Sequence, residues 1–148
     1  MRITISGYGK MGKLFGRVLS EELNSEVKFY SSHTILDFST LSEAYEWSDV
    51  MILASTIDNI KAQIRELREI SLSNPKDIMI FDIATFKKDV LTEYQGFPRE
   101  VKVASVHPMF GPGAKSFRGH LFYRCPCKGQ GKRRRRCRKV YRRIGGKS

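Results

Sequence analysis

The chain has 148 residues, enough for one domain with a core of its own. No run approaches the ~20 apolar residues of a membrane span. The N-terminus also lacks the basic-then-apolar layout of a signal peptide, so a cytoplasmic chain with no membrane contact is expected. The net charge of +12 excludes less than it suggests, because it is unevenly placed: all fifteen acidic residues fall within residues 1–120, beside fifteen of the 27 basic ones, and the other twelve basic residues lie beyond Leu121.

The run Ile3-Thr4-Ile5-Ser6 reads as a strand ending in Gly7-Tyr8-Gly9-Lys10-Met11-Gly12. Met11, Leu14, Phe15, Val18, Leu19 and Leu23 then recur at helical spacing. Strand, Gly-x-Gly-x-x-Gly turn and helix together are a dinucleotide-binding fingerprint. One glycine permits the bend, one lets a pyrophosphate approach the backbone, and one lets the helix pack closely on the strand. Free N–H groups at the helix start then face the phosphates. Residues 7 to 12 are therefore the expected cofactor loop.

Val27 to Ser31 reads as the second strand, whose end chooses between nicotinamide cofactors. Ser31 stands nineteen positions beyond Gly12, where an acidic residue would grip the ribose of NAD. Ser31, Ser32 and His33 offer hydroxyls and an imidazole that suit a 2′-phosphate, so NADP is slightly favoured over NAD. The alternatives are a plain polar loop here, or Asp37 reaching back to the ribose. Thr40-x-x-Glu43 predicts a capping box opening a short helix through Ala44 and Trp47.

Asp49 to Ala54 is a nearly continuous apolar run, as expected of a strand buried on both faces, and Ser55 ends it. Ile57, Ile60, Ile64, Leu67 and Ile70 mark a helix that Asn74-Pro75 stops. Ile78 to Ile83 is a further strand, followed by Ala84-Thr85-Phe86-Lys87-Lys88 and a helix to about Tyr94. Val101 to Val106 is the next strand, and His107 stands at its end. This alternation predicts an α/β fold with a Rossmann-type, doubly wound, mostly parallel sheet. The glycine loop, Ser31, Ser55, Thr85 and His107 would then share the crevice beyond the strand ends. No metal site is expected, since His33, His107 and His120 have no ligand spacing.

Over residues 2–120 the chain resembles the nucleotide-binding domain of the prephenate dehydrogenase family, which includes arogenate dehydrogenases. Ser105-Val106-His107-Pro108-Met109-Phe110-Gly111-Pro112 is similar to the family's His-Pro-Met-x-Gly-Pro segment, and Asp82 to Lys87 to its Asp-x-x-Ser-x-Lys. The resemblance implies NADP- or NAD-dependent oxidative decarboxylation of prephenate, or arogenate, in tyrosine biosynthesis. Hydride leaves the carbinol carbon, the ring carboxylate departs as CO2, and the ring becomes aromatic. His107 would accept the hydroxyl proton. Thr85, standing where the family has serine, would assist. The family's helical C-terminal dimerisation domain, which makes the homodimer and supplies a carboxylate-binding arginine, is missing from these 148 residues. Weak cofactor binding with very low turnover is the corresponding expectation.

Residues 1–120 thus form the expected NAD(P)-binding domain. Residues 121–148 form a basic tail holding Cys125, Cys127 and Cys137 and the run Lys132 to Arg136. Leu121 to Cys127 shows little strand alternation. The tail reads as non-native or disordered, the product of a reading-frame shift near residue 121. Read one base later, Cys-Pro-Cys becomes Val-Pro-Val, and AGR arginine codons become Glu or Gly. The competing reading is a nucleotide-binding or polybasic protein without catalysis that holds nucleic acid non-specifically through the tail. Another small Rossmann reductase is the remaining alternative.

Overall fold

The computed structural model describes residues 1–85, 87–120, 122–126 and 138–140. In chain order the elements are β1 (Arg2–Ser6), α1 (Lys10–Leu23), β2 (Glu26–Tyr30), α2 (Leu41–Trp47), β3 (Val50–Leu53) and α3 (Ile57–Ser73). Then come β4 (Ile78–Asp82), α4 (Lys87–Leu91), a 3-10 turn (Thr92–Tyr94), β5 (Val101–Pro108), β6 (Phe122–Pro126) and β7 (Arg138–Val140). The sheet runs β2-β1-β3-β4-β5-β6-β7. The first five strands are parallel, and β6 and β7 are antiparallel.

Side chains alternate across this sheet, and each face meets its own helices. Ile3, Ile5 and Ile52 pack with Leu14, Phe15, Val18 and Leu19 of α1. On the other face Met51 and Leu53 pack with Leu41 and Tyr45 of α2 and with Ile60, Ile64 and Leu67 of α3. The unbroken apolar run of β3 follows from this double burial. Among the described residues no helix is long and apolar enough to cross a membrane.

Helix ends are set locally. At α2 the predicted capping box forms: Glu43 N–H donates to Thr40 Oγ1 at 3.1 Å, and Thr40 N–H to Glu43 Oε2 at 3.2 Å. Lys76 Nζ donates to the carbonyls of Tyr45, Glu46 and Ser48 beyond it, at 3.2, 2.9 and 2.8 Å. A cation suits that negative helix end, although burial lowers the Lys76 pKa. Asn74 closes α3 ahead of Pro75.

The structure differs from the sequence expectation at β5. That strand runs on through His107 to Pro108, because β6 pairs His107 with Tyr123 and Pro108 with Phe122. His107 is therefore within a strand rather than beyond one. Residues 122–126 form β6 despite their lack of alternation, since the open edge of β5 supplies their pairing. Phe122 also packs beside Phe110 and Phe117, with ring centroids 5.2 and 5.5 Å away. Of the segment 121–148 read as a tail, only 122–126 and 138–140 are described, both as strands. Lys132 to Arg136 lies outside the described residues.

Candidate functional site

The chain reverses its direction of travel between β1 and β3, and in open α/β sheets ligands collect at such a point, beyond the carboxyl ends of the strands. The glycine loop stands there. Gly7 has φ +120°, open to glycine alone, and a Cβ on it would meet Ala54 O at 2.7 Å. A Cβ on Gly12 would meet Gly7 O at 2.2 Å, so this residue sets how closely α1 sits on β1. Around Gly9, by contrast, nothing lies within 4 Å of an added Cβ. Gly9 is also the N-cap of α1, with no side-chain cap. The bend, the open approach and the close packing thus fall on separate glycines.

A cavity of about 400 Å³ opens on this loop, lined by Ser6, Gly7, Tyr8 and Gly9, by Ser31, Ser32 and His33, and by Ala54, Ser55, Thr56, Asn59 and Gln63. No lining residue is acidic. The turn after β2 is held by its own hydroxyl, His33 N–H donating to Ser31 Oγ at 3.2 Å. Across the cavity Asn59 Nδ2 lies 3.1 Å from His33 Nε2. Asp37 does not turn toward this cavity: its carboxylate accepts the Phe29 N–H at 2.7 Å and so closes the loop onto β2. Thr56, Asn59 and Gln63 were not singled out from the sequence. Their signal is a polar stripe at helical spacing from the N-cap of α3 through its first two turns, flanking the apolar one. Gln63 is buried, its Oε1 accepting from Ser6 Oγ at 2.7 Å.

The other half of the crevice belongs to β4 and β5. Strand spacing of ~4.8 Å puts β5 about 14 Å from β1 across the sheet. The register pairs Asp82 with Ser105. Asp82 Oδ1 also accepts the Ala84 N–H at 2.9 Å, fixing the turn that leads to the exposed Thr85. His107 is two residues past Ser105 and half-buried. Thr85, in the turn after β4, and His107, in the adjacent β5, thus stand apart from the cavity that gathers Gly7, Tyr8, Gly9, Ser31, Ser32, His33 and Ser55. Among the described residues two buried side-chain polar atoms have no hydrogen-bond partner: Ser55 Oγ and His107 Nδ1. Such atoms are normally satisfied inside a protein, by another protein group or by an ordered water.

Lys10 and Met11, expected with the cofactor loop, do not line the cavity. Met11 packs against the α1 core. Lys10 faces a second depression, with Lys13, Leu14, Arg17, Pro112 and Gly113.

The chain matches the family described as prephenate dehydrogenase, nucleotide-binding domain, over residues 18–148. That span starts after the glycine loop and continues past His120, whereas the likeness seen in the sequence covers 2–120. No curated protein matches the chain in sequence. Among solved structures it is similar to prephenate dehydrogenase from A. aeolicus in complex with hydroxyphenyl propionate and NAD+, at 17% identity and TM-score 0.59, over 86% of this chain and 51% of that one. It is also similar to 3-hydroxyisobutyrate dehydrogenase of Mycobacterium tuberculosis, at 14% identity and TM-score 0.58, over 75% and 41% of the two chains. Pyrroline carboxylate reductase of Plasmodium falciparum with NADP bound gives 14% identity and TM-score 0.55, over 73% and 42%. At these identities the likeness is one of fold, and the chain spans about half the length of each structure or less. The family match, over residues 18–148, covers most of the chain, and the chain therefore belongs to the family of the prephenate dehydrogenase nucleotide-binding domain.

Proposed function

We propose that this chain binds a pyridine dinucleotide, with NADP preferred over NAD, and serves oxidative decarboxylation of prephenate or arogenate in tyrosine biosynthesis. The observation that carries the reading is the pair of buried atoms without a partner among the described residues, Ser55 Oγ just past β3 and His107 Nδ1 in β5, on either side of β4. The residues present fit the cofactor: Gly9 leaves an open approach, and the cavity has no acid to repel a 2′-phosphate.

In this reading Gly7, Tyr8, Gly9 and the start of α1 hold the pyrophosphate, as free N–H groups at a helix start do. Ser31, Ser32 and His33 take the 2′-phosphate, and Ser55 offers its hydroxyl to a ribose. A bound nicotinamide supplies a hydride acceptor. His107 accepts the proton of the substrate hydroxyl as that group becomes carbonyl-like. Thr85, on the neighbouring strand end, orients the same oxygen.

Calorimetric titration of the chain with NADP+ and NAD+, followed by prephenate and absorbance of the reduced nicotinamide, tests this. The expected result is tighter binding of NADP+ than of NAD+. Slow turnover that disappears in His107→Asn, with NADP+ binding kept, is expected after prephenate is added. Failure of both nucleotides to bind would overturn the reading.

A further inference from the structure

β2 pairs with β1 and stands at the edge of the sheet. Glu26 N–H donates to Met1 O at 3.0 Å and Gly7 N–H to Tyr30 O at 2.9 Å, so residues 26 and 30 bond toward β1. By the alternation of a strand, Phe29 then presents its N–H and C=O to the open side. Groups on such an edge need to be covered or left to water. Here one residue takes both. Asp37 Oδ2 accepts the Phe29 N–H at 2.7 Å, and the Asp37 N–H donates to Phe29 O at 3.2 Å. Asp37 does at this point of the edge what a further strand would do.

The six residues 31–36 run between two fixed ends. Tyr30 is buried before them, and Phe38, just after Asp37, is buried with its ring centroid 5.6 Å from that of Trp47. Residues 32–35 are exposed, so the shape of the loop depends on polar ties rather than on apolar burial. Within it Ser31 Oγ accepts the His33 N–H at 3.2 Å, and Asn59 meets His33 Nε2 at 3.1 Å. Asp37 itself does not line the dinucleotide cavity.

We infer that Asp37 is a positioning residue for cofactor choice: by clipping the loop to the edge of β2 it holds Ser31, Ser32 and His33 in place for a 2′-phosphate without touching the cofactor. The inference rests on the reading that this loop takes the 2′-phosphate of NADP. Donors that are already ordered avoid the ordering cost a loose loop meets on binding. NAD, which lacks that phosphate, gains little from the order.

Charge and position predict opposite signs. A carboxylate acting on the phosphate through charge would repel it, and any neutral replacement would strengthen NADP+ binding. A carboxylate gripping a ribose would be missed by NAD+. A clip is missed by NADP+ alone, and only where the acceptor oxygen is removed.

The test is calorimetric titration of the full chain, Asp37→Ala and Asp37→Asn with NADP+ and with NAD+, beside amide hydrogen exchange at Phe29. Both replacements remove the charge, and asparagine keeps an acceptor. Asp37→Ala is expected to weaken NADP+ binding about three- to tenfold, the cost of ordering a loop side chain or two. NAD+ binding should stay unchanged, and exchange at Phe29 should quicken. Asp37→Asn is expected to keep both the preference of the parent and the protection of Phe29. A preference that Asp37→Ala leaves intact, one lost equally in both variants, tighter NADP+ binding by both, or a loss of NAD+ affinity would each overturn the positioning role and leave the dinucleotide reading standing. A parent chain that binds both nucleotides equally, or neither, overturns the NADP reading and the inference with it.

Discussion

Ser105 Oγ on β5 donates to Asp82 Oδ1 on β4 at 2.9 Å, with both residues fully buried. Tyr94 OH donates to the other carboxylate oxygen, also at 2.9 Å. One acid thus joins the two strand ends that carry Thr85 and His107 to the turn after α4. Asp82→Ala takes the acceptor from both hydroxyls and should destabilise the chain by about 2–4 kcal/mol. Asp82→Asn keeps an acceptor and should lose less. Urea unfolding midpoints of the two variants check the order.

The glycine loop separates packing from binding. Gly12→Ala forces a Cβ to 2.2 Å from Gly7 O. It should lower stability by about 1–3 kcal/mol, as overpacking does, and weaken NADP+ binding with it. Gly9→Ala meets nothing within 4 Å and should melt like the parent while losing NADP+ affinity. Thermal midpoints measured beside calorimetric NADP+ titrations separate the two effects. Equal destabilisation by both substitutions would contradict the division of roles.

His33 and Asn59 meet across the cavity at 3.1 Å. His33→Ala should reduce NADP+ affinity about three- to tenfold, as loss of a charge-assisted contact at an exposed site does. NAD+ affinity should stay nearly constant. The ratio of the two dissociation constants is the measurement, and a ratio equal to that of the parent chain removes His33 from cofactor choice.

Arg65 grips both carboxylate oxygens of Glu93, at 2.9 and 2.6 Å, joining α3 to the 3-10 turn. The Arg65 hydrogen bond, against a smaller opposing effect of burial, holds the Glu93 carboxyl below its usual 4.5. Below that value the unfolded chain takes up a proton before the folded one does. The contribution is therefore present above 4.5 and lost as pH falls through the lower folded value. Glu93→Gln should lower the thermal midpoint at neutral pH, and the gap from the parent should close in acid. A gap that is independent of pH would show that the pair does not act through charge.

Much of the scaffold was legible in the chain because its causes are local. Gly7 and Gly12 follow from sterics between near neighbours, the Thr40 and Glu43 box from a three-residue spacing, and the stripe of α3 from helical periodicity. The double burial of β3 shows in its unbroken apolar run. Other features belong to contacts that sequence spacing does not encode. His33 meets Asn59, Asp82 meets Ser105, and Lys10 turns away from the cofactor loop toward Pro112 and Gly113. The length of β5 likewise depended on β6 pairing along its edge. Local propensity reaches only a few residues along the chain. Which strand lies beside which, and which face of a helix looks into a cleft, is fixed only when the whole sheet closes its hydrogen bonds and buries both apolar faces.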